Sequence, residues 1–208
     1  MKTVLCFGDS NTYGYIPGSQ GERYSAEIRW PKQLGALLGK EYEVVEEGLN
    51  GRTTAFGDNI EPYRCGLDHI LPCLLSHAPV DLLIIMLGVN DTKDRYHVRA
   101  EEIGYGLEEL IMKVAGYYHF QAQTPEILVV APVPLGDMDQ GIEFSERSRR
   151  KSQLLPGIFE ETAQRFGCAF FDAGSVIREL GCDNIHFTPE DHRLLARALE
   201  PLVRKLTG

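Results

Sequence analysis

Residues 3–12 read Thr-Val-Leu-Cys-Phe-Gly-Asp-Ser-Asn-Thr, and the interpretation of the fold turns on them. A run of β-branched, aromatic and apolar residues passes directly into Gly, Asp and Ser, which are turn-forming residues. Residues 3–7 are mostly apolar on both faces rather than alternating. That pattern predicts a strand covered from both sides, as parallel strands between helices are. Similar runs recur at 42–46, 82–87, 127–131 and 168–171. Between them lie helical patterns. Residues 30–38 place Leu34, Leu37 and Leu38 on one face, and 67–75 do the same with Ile70, Leu71 and Leu74. Residues 101–114 repeat Ile103, Leu107, Leu110, Ile111 and Val114. Residues 152–166 and 189–206 complete the set, the last with Thr188 as N-cap, Pro189 at the first helical position and acidic residues behind it. Strand alternating with helix predicts one α/β domain over residues 1–208. It would be a three-layer α/β/α sandwich around a mainly parallel five-stranded sheet. Residues 132–146 read as a long surface loop.

Composition narrows the function classes. The 208 residues are 43% hydrophobic and 25% charged, an ordinary globular balance that needs no disulfide or metal staple. Twenty-one basic residues against thirty acidic ones give a formal charge of −9, which argues against nucleic acid or an anionic membrane as partner. The opening apolar run, residues 4–7, is shorter than the roughly 7–15 residues of a secretory core. Five dispersed cysteines (Cys6, Cys65, Cys73, Cys168 and Cys182), three of them inside apolar runs, suit buried thiols in a reducing compartment. The expectation is a cytoplasmic protein with no membrane span. Neither HExxH nor zinc-finger spacing occurs, so neither metal nor cofactor is expected.

Ligands of open α/β sheets bind beyond the carboxyl ends of the strands, where the polar residues of this chain gather. The blocks are Gly8-Asp9-Ser10-Asn11-Thr12, then 48–54 (Gly-Leu-Asn-Gly-Arg-Thr-Thr), then Gly88-Val89-Asn90-Asp91, and finally Asp183-Asn184-Ile185-His186-Phe187. A serine on a strand-to-helix turn is exposed beside backbone N–H groups, the setting of a nucleophile with an oxyanion donor. A turn-capping serine is the simpler reading of one such block alone. A serine nucleophile needs a base. His69, His77 and His119 lie on helical stretches without an acid placed to orient them, and His192 reads as solvated within the last helix. Two pairs remain, Asp94/His97 and Asp183/His186, and spacing alone does not separate them.

The four blocks together resemble the SGNH (GDSL-type) hydrolase superfamily. More narrowly, Phe-Gly-Asp-Ser, Ile-Ile-Met-Leu-Gly-x-Asn-Asp-Thr-Lys and Phe-Phe-Asp-Ala-Gly-Ser-Val-Ile resemble its bacterial arylesterase and acyltransferase branch. The resemblance implies a flavodoxin-like fold with Ser10 as nucleophile, His186 as base and Asp183 orienting it. It also implies an oxyanion hole from Ser10, Gly51 and Asn90. The first block departs at Asn11, where leucine is common. Asn11, Tyr13, Tyr15 and Phe187 flank the motifs and are expected around the substrate pocket. Thr12 breaks the Gly-x-Ser-x-Gly elbow of α/β-hydrolases. The implied activity is hydrolysis of short-chain, acetyl-type esters, small molecules being the partners, through an acyl-serine that an alcohol could also resolve. A carbohydrate O-acetylesterase is the near alternative. A flavodoxin-like phosphate or flavin module on residues 8–12 is the distant one. The resembled branch includes oligomers, so a homo-oligomer also fits.

Overall fold

The computed structural model describes residues 1–138 and 143–208. Residues 139–142, inside the stretch read as a surface loop, lie outside the described residues. Five strands form one sheet: β1 (Lys2–Gly8), β2 (Tyr42–Gly48), β3 (Leu82–Met86), β4 (Glu126–Ala131) and β5 (Ala169–Asp172). The order is β2-β1-β3-β4-β5 and every pairing is parallel. Among the described residues, six α-helices accompany them: the four-residue α1 (Ser10–Tyr13), then α2 (Trp30–Leu38), α3 (Gly66–Ser76), α4 (Ala100–Tyr118), α5 (Glu146–Arg165) and α6 (Pro189–Thr207).

Side chains of one strand alternate between the two faces of the sheet. Leu5, Phe7, Leu83, Ile85 and Val129 enter one core with residues of α3, α4 and α5. Val4, Cys6, Leu82, Ile84, Met86 and Val130 enter the other with Trp30 and Leu34 of α2 and Leu195 and Leu199 of α6. All of β3 is buried, which is why it reads as unbroken apolar sequence. Each such Leu or Ile contributes about 1.5–3 kcal/mol by leaving water. The three-layer expectation holds.

Helix α6 starts where the sequence indicates. Thr188 Oγ1 accepts from the Asp191 N–H at 3.3 Å, while Asp191 Oδ2 accepts from the Thr188 N–H at 2.7 Å. Helix α5 starts six residues before the expected 152, capped by Ser145, whose Oγ accepts from the Arg147 N–H. Its first turns carry Arg147, Arg149, Arg150 and Lys151, and this polar stretch hides the helical period. Among the described residues, no helix is long and apolar enough to cross a membrane.

Candidate active site

In a sheet of order 2-1-3-4-5 the chain crosses to opposite sides after β1 and β3, which opens a crevice at their carboxyl ends. Register places three of the four blocks there. Gly8 pairs with Gly48 on one side and Met86 on the other, so β1, β2 and β3 end at one height. Ser10, Gly51 and Asn90 each follow within four residues. Gly48 must be glycine for this packing, because a Cβ there would collide with the backbone of Thr12 and Tyr13. Gly51 adopts φ +78°, a left-handed conformation that side chains disfavour, so conformation rather than space selects glycine.

Ser10 opens α1, and Asp9 caps it by accepting the Asn11 N–H on Oδ1 at 2.9 Å. Ser10 is buried apart from the face it turns to the cavity. Its Oγ lies 2.9 Å from His186 Nε2, and His186 Nδ1 lies 2.7 Å from Asp183 Oδ2. A ring nitrogen facing a carboxylate carries the hydrogen, which leaves Nε2 of the neutral ring to accept from Ser10. Asp183 Oδ1 accepts the N–H groups of Ile185 at 3.0 Å and His186 at 2.9 Å, and Oδ2 also accepts the Gly18 N–H. Burial pushes the Asp183 carboxyl up. The His186 ring, its backbone N–H and the Ile185 N–H outweigh that and hold it well below the usual carboxylate range. The Tyr15 ring packs against the imidazole with centroids 4.3 Å apart. This chain of contacts can take the serine proton onto His186 and stabilise the resulting imidazolium.

Asn90 Nδ2 donates to the Arg52 carbonyl at 3.1 Å and to Asp9 Oδ2 at 3.4 Å. Beneath it sits a buried polar layer that sequence reasoning missed. Burial pushes the Asp9 carboxyl up to about 6, against the hydrogen bond from Asn11 and the positive charge of Arg52. Arg52 donates to the carbonyls of Gly8 and Glu47, stacks over Phe7, and so ties the ends of β1 and β2. Asp91 accepts from the Thr54 N–H and hydroxyl at 2.8 and 2.6 Å, and burial raises it likewise to about 6. The available signal was an acidic residue beside each of two motif residues.

These groups line a cavity of about 700 Å³. Met138, Phe144 and Ile185 give it an apolar side, and Asn50, Glu61, Lys93 and Glu143 a polar wall. The buried Lys93 ammonium lies 3.1 Å from Glu61 and 3.0 Å from Glu143. Arg95 pairs with Asp58, Glu61 and Glu143, binding this wall together. Among the described residues, no group of three His, Cys, Asp or Glu is arranged to hold a metal ion.

Of the flanking residues expected at the pocket, only Tyr15 lines it. Asn11 is buried beneath it, Tyr13 is turned out under the Arg23 guanidinium at 4.3 Å, and Phe187 sits in the α2/α6 core. Their sequence positions bracket the motifs, but the side chains of Asn11 and Phe187 turn into the interior and that of Tyr13 toward Arg23. His97 is exposed at φ +54°. His192, expected to be solvated, is fully buried. Its Nδ1 accepts the Trp30 N–H at 3.3 Å, and the Tyr24 and Phe187 rings meet it edge-on.

The model of the GDSL-like lipase/acylhydrolase family matches residues 6–194, taking in all four blocks. The chain belongs to that family. As a GDSL-like acylhydrolase it is a carboxylic ester hydrolase of the SGNH superfamily. The native aryl esterase of M. smegmatis superposes with a TM-score of 0.94 and 38% identity, covering 99% of this chain and 100% of that one. A carbohydrate acetylesterase from Sinorhizobium meliloti superposes with a TM-score of 0.93 and 38% identity over the same shares. Comparison with curated proteins returns no match.

Proposed function

We propose that this acylhydrolase cleaves small acetyl-type esters through an acyl-Ser10 intermediate. The observation that carries the proposal is the unbroken contact from Asp183 through His186 to Ser10, at 2.7 and 2.9 Å. Ser10 Oγ adds to the ester carbonyl as His186 Nε2 takes its proton. The tetrahedral oxyanion meets the N–H groups of Ser10 and Gly51 and the Asn90 amide, whose long bond to Asp9 is the one to be exchanged. Collapse expels the alcohol, which takes the proton from His186. Water then repeats the sequence, with His186 as base, and releases the acid and free Ser10. An oxyanion donor of this kind lowers the barrier by about 3–4 kcal/mol.

Acetyl-sized acyl groups suit the apolar part of the cavity, formed among the described residues by Met138, Phe144 and Ile185 beside the Tyr15 ring. The polar wall favours alcohols bearing hydroxyls as a second reading, in keeping with the acetylesterase relative. The free thiols of all five cysteines support a reducing, cytoplasmic location. A fluorophosphonate should label Ser10, and p-nitrophenyl esters from acetate to palmitate, with acetylated sugars alongside, should give highest rates at two carbons. Labelling elsewhere, or a rate rising with chain length, contradicts the proposal. Adding a primary alcohol tests transfer, since ester product requires an acyl-enzyme that admits it.

A further inference from the structure

We propose that Asn11 is a positioning residue whose carboxamide holds the two peptide groups on either side of His186, and through them the Ser10–His186 contact. This rests on the acyl-Ser10 reading above. Asn11 Oδ1 accepts the Phe187 N–H at 2.9 Å, and Nδ2 donates to the Ile185 carbonyl at 3.2 Å. Those are the peptide groups after and before His186. The amide has only one orientation that satisfies both, since a backbone N–H can only donate and a carbonyl only accept. Asn11 also follows Ser10 directly, and its own N–H is anchored on Asp9. One buried side chain therefore spans 176 positions of sequence and joins the nucleophile's turn to the base's backbone.

Among the described residues, the other backbone hydrogen bonds of the last loop do not make this link. Gly181 N–H to the His186 carbonyl and Asn184 N–H to the Gly181 carbonyl are internal to it. Gly18 and Gly136 reach Asp183 and Asn184, at its far end. Without Asn11 the imidazole keeps its carboxylate, yet the peptides that carry it lose their tie to Ser10. Substrate contacts stay in place, because Asn11 does not line the cavity. The loss therefore falls on proton transfer and not on binding. A misplacement near 1 Å can cost about 10²-fold in rate.

The test compares wild type with Asn11→Leu, of the same branched shape but without either bond, and Asn11→Asp, which keeps the acceptor but turns a second oxygen toward the Ile185 carbonyl. Rates are expressed per active site, titrated by the end point of fluorophosphonate labelling, so misfolded protein does not count. Asn11→Leu should lower kcat by about 10–100-fold with KM within about threefold, and slow the phosphonylation of Ser10 by a similar factor. Asn11→Asp should fall between it and wild type. A kcat within about twofold of wild type, or a loss appearing only in KM, overturns the proposal. If Asn11→Leu does not fold, Asn11→Asp decides by the same criterion, at a threefold loss of kcat. Failure of the acyl-serine reading looks different, because wild type itself would not be labelled at Ser10.

Discussion

Two segments of this chain carry the same Asp-x-x-His spacing, and they fold into opposite arrangements. In the segment after β5, Asp183 bends its own backbone: Oδ1 takes the N–H groups of Ile185 and His186, and the ring comes to 2.7 Å from Oδ2. In the segment after β3, the His97 N–H bonds the Asp94 backbone carbonyl at 3.2 Å, and His97 turns outward in a left-handed conformation. The neighbours decide. Asp94 stands between Lys93 and Arg95, whose charges are bound by Glu61, Glu143 and Asp58, so its turn is shaped by the cavity wall. Asp183 has no such competitor and is free to cap its own loop. Spacing specifies which groups can meet, while the backbone hydrogen bonds of the aspartate determine whether they do.

The largest test of that contrast is His186→Ala. Removing the base from the contact to Ser10 should lower kcat by about 10⁴–10⁶-fold, as loss of a triad base does, with folding retained. Steady-state kinetics on one acetyl ester check it. Asp183→Asn comes next, at about 10²–10⁴-fold, because the amide can turn its N–H toward Nδ1 and impose the wrong tautomer. Should Asp183→Asn be nearly silent, the carboxylate–imidazole contact would matter for loop structure alone.

Much of this was legible beforehand, for physical reasons. Buried parallel strands must be apolar on both faces, so β1 and β3 announce themselves, and Thr188-Pro189 marks the start of α6. The blocks directly after β1, β2 and β3 mark the crevice because register ends those strands at one height. What was hidden depends on side-chain direction across long separations. Asn11 looks like a pocket residue, being next to Ser10, yet its amide turns inward to residues 185 and 187. His192 looks polar and therefore solvated, although it shares the buried stripe of Leu195, Ala196, Leu199 and Val203. That period is present in the sequence, and it outweighs the polarity of one imidazole.

His192 sharpens the comparison from the side of stability. Burial, with the charge of Arg29, lowers its pKa from 6.5 to about 3. The unfolded chain therefore binds a proton that the folded chain refuses between those values. Stability should drain as pH falls from about 6.5 toward 3, by on the order of several kcal/mol at 1.36 kcal/mol per unit. Asp9 and Asp91, raised to about 6, act in the opposite sense and add stability as pH falls from about 6 toward 4. His192→Asn keeps an acceptor for the Trp30 N–H without the titration. Urea melts from pH 7 to 4 should show the stability of wild type falling relative to this variant, whatever the slope of either curve and whatever the variant's cost at pH 7. Parallel curves would place the acid sensitivity elsewhere.

The smallest expected effects belong to the outward-turned pair, and they test the comparison most directly. His97→Ala removes an exposed ring, so kcat should stay within about twofold, the range of a surface substitution of roughly ±0.5 kcal/mol. The left-handed φ of +54° adds a small strain for any residue with a Cβ. His97→Gly should accordingly be no less stable than His97→Ala, whereas inside a helix glycine would cost about 1 kcal/mol more. Asp94→Asn removes a charge beside Lys93 and Arg95, both already paired with carboxylates, so it too should leave kcat nearly unchanged. If His97→Ala instead loses activity on the scale of His186→Ala, the imidazole serving Ser10 in solution is not the one 2.9 Å from it here. Backbone capping by the aspartate would then not be what sorts the two pairs.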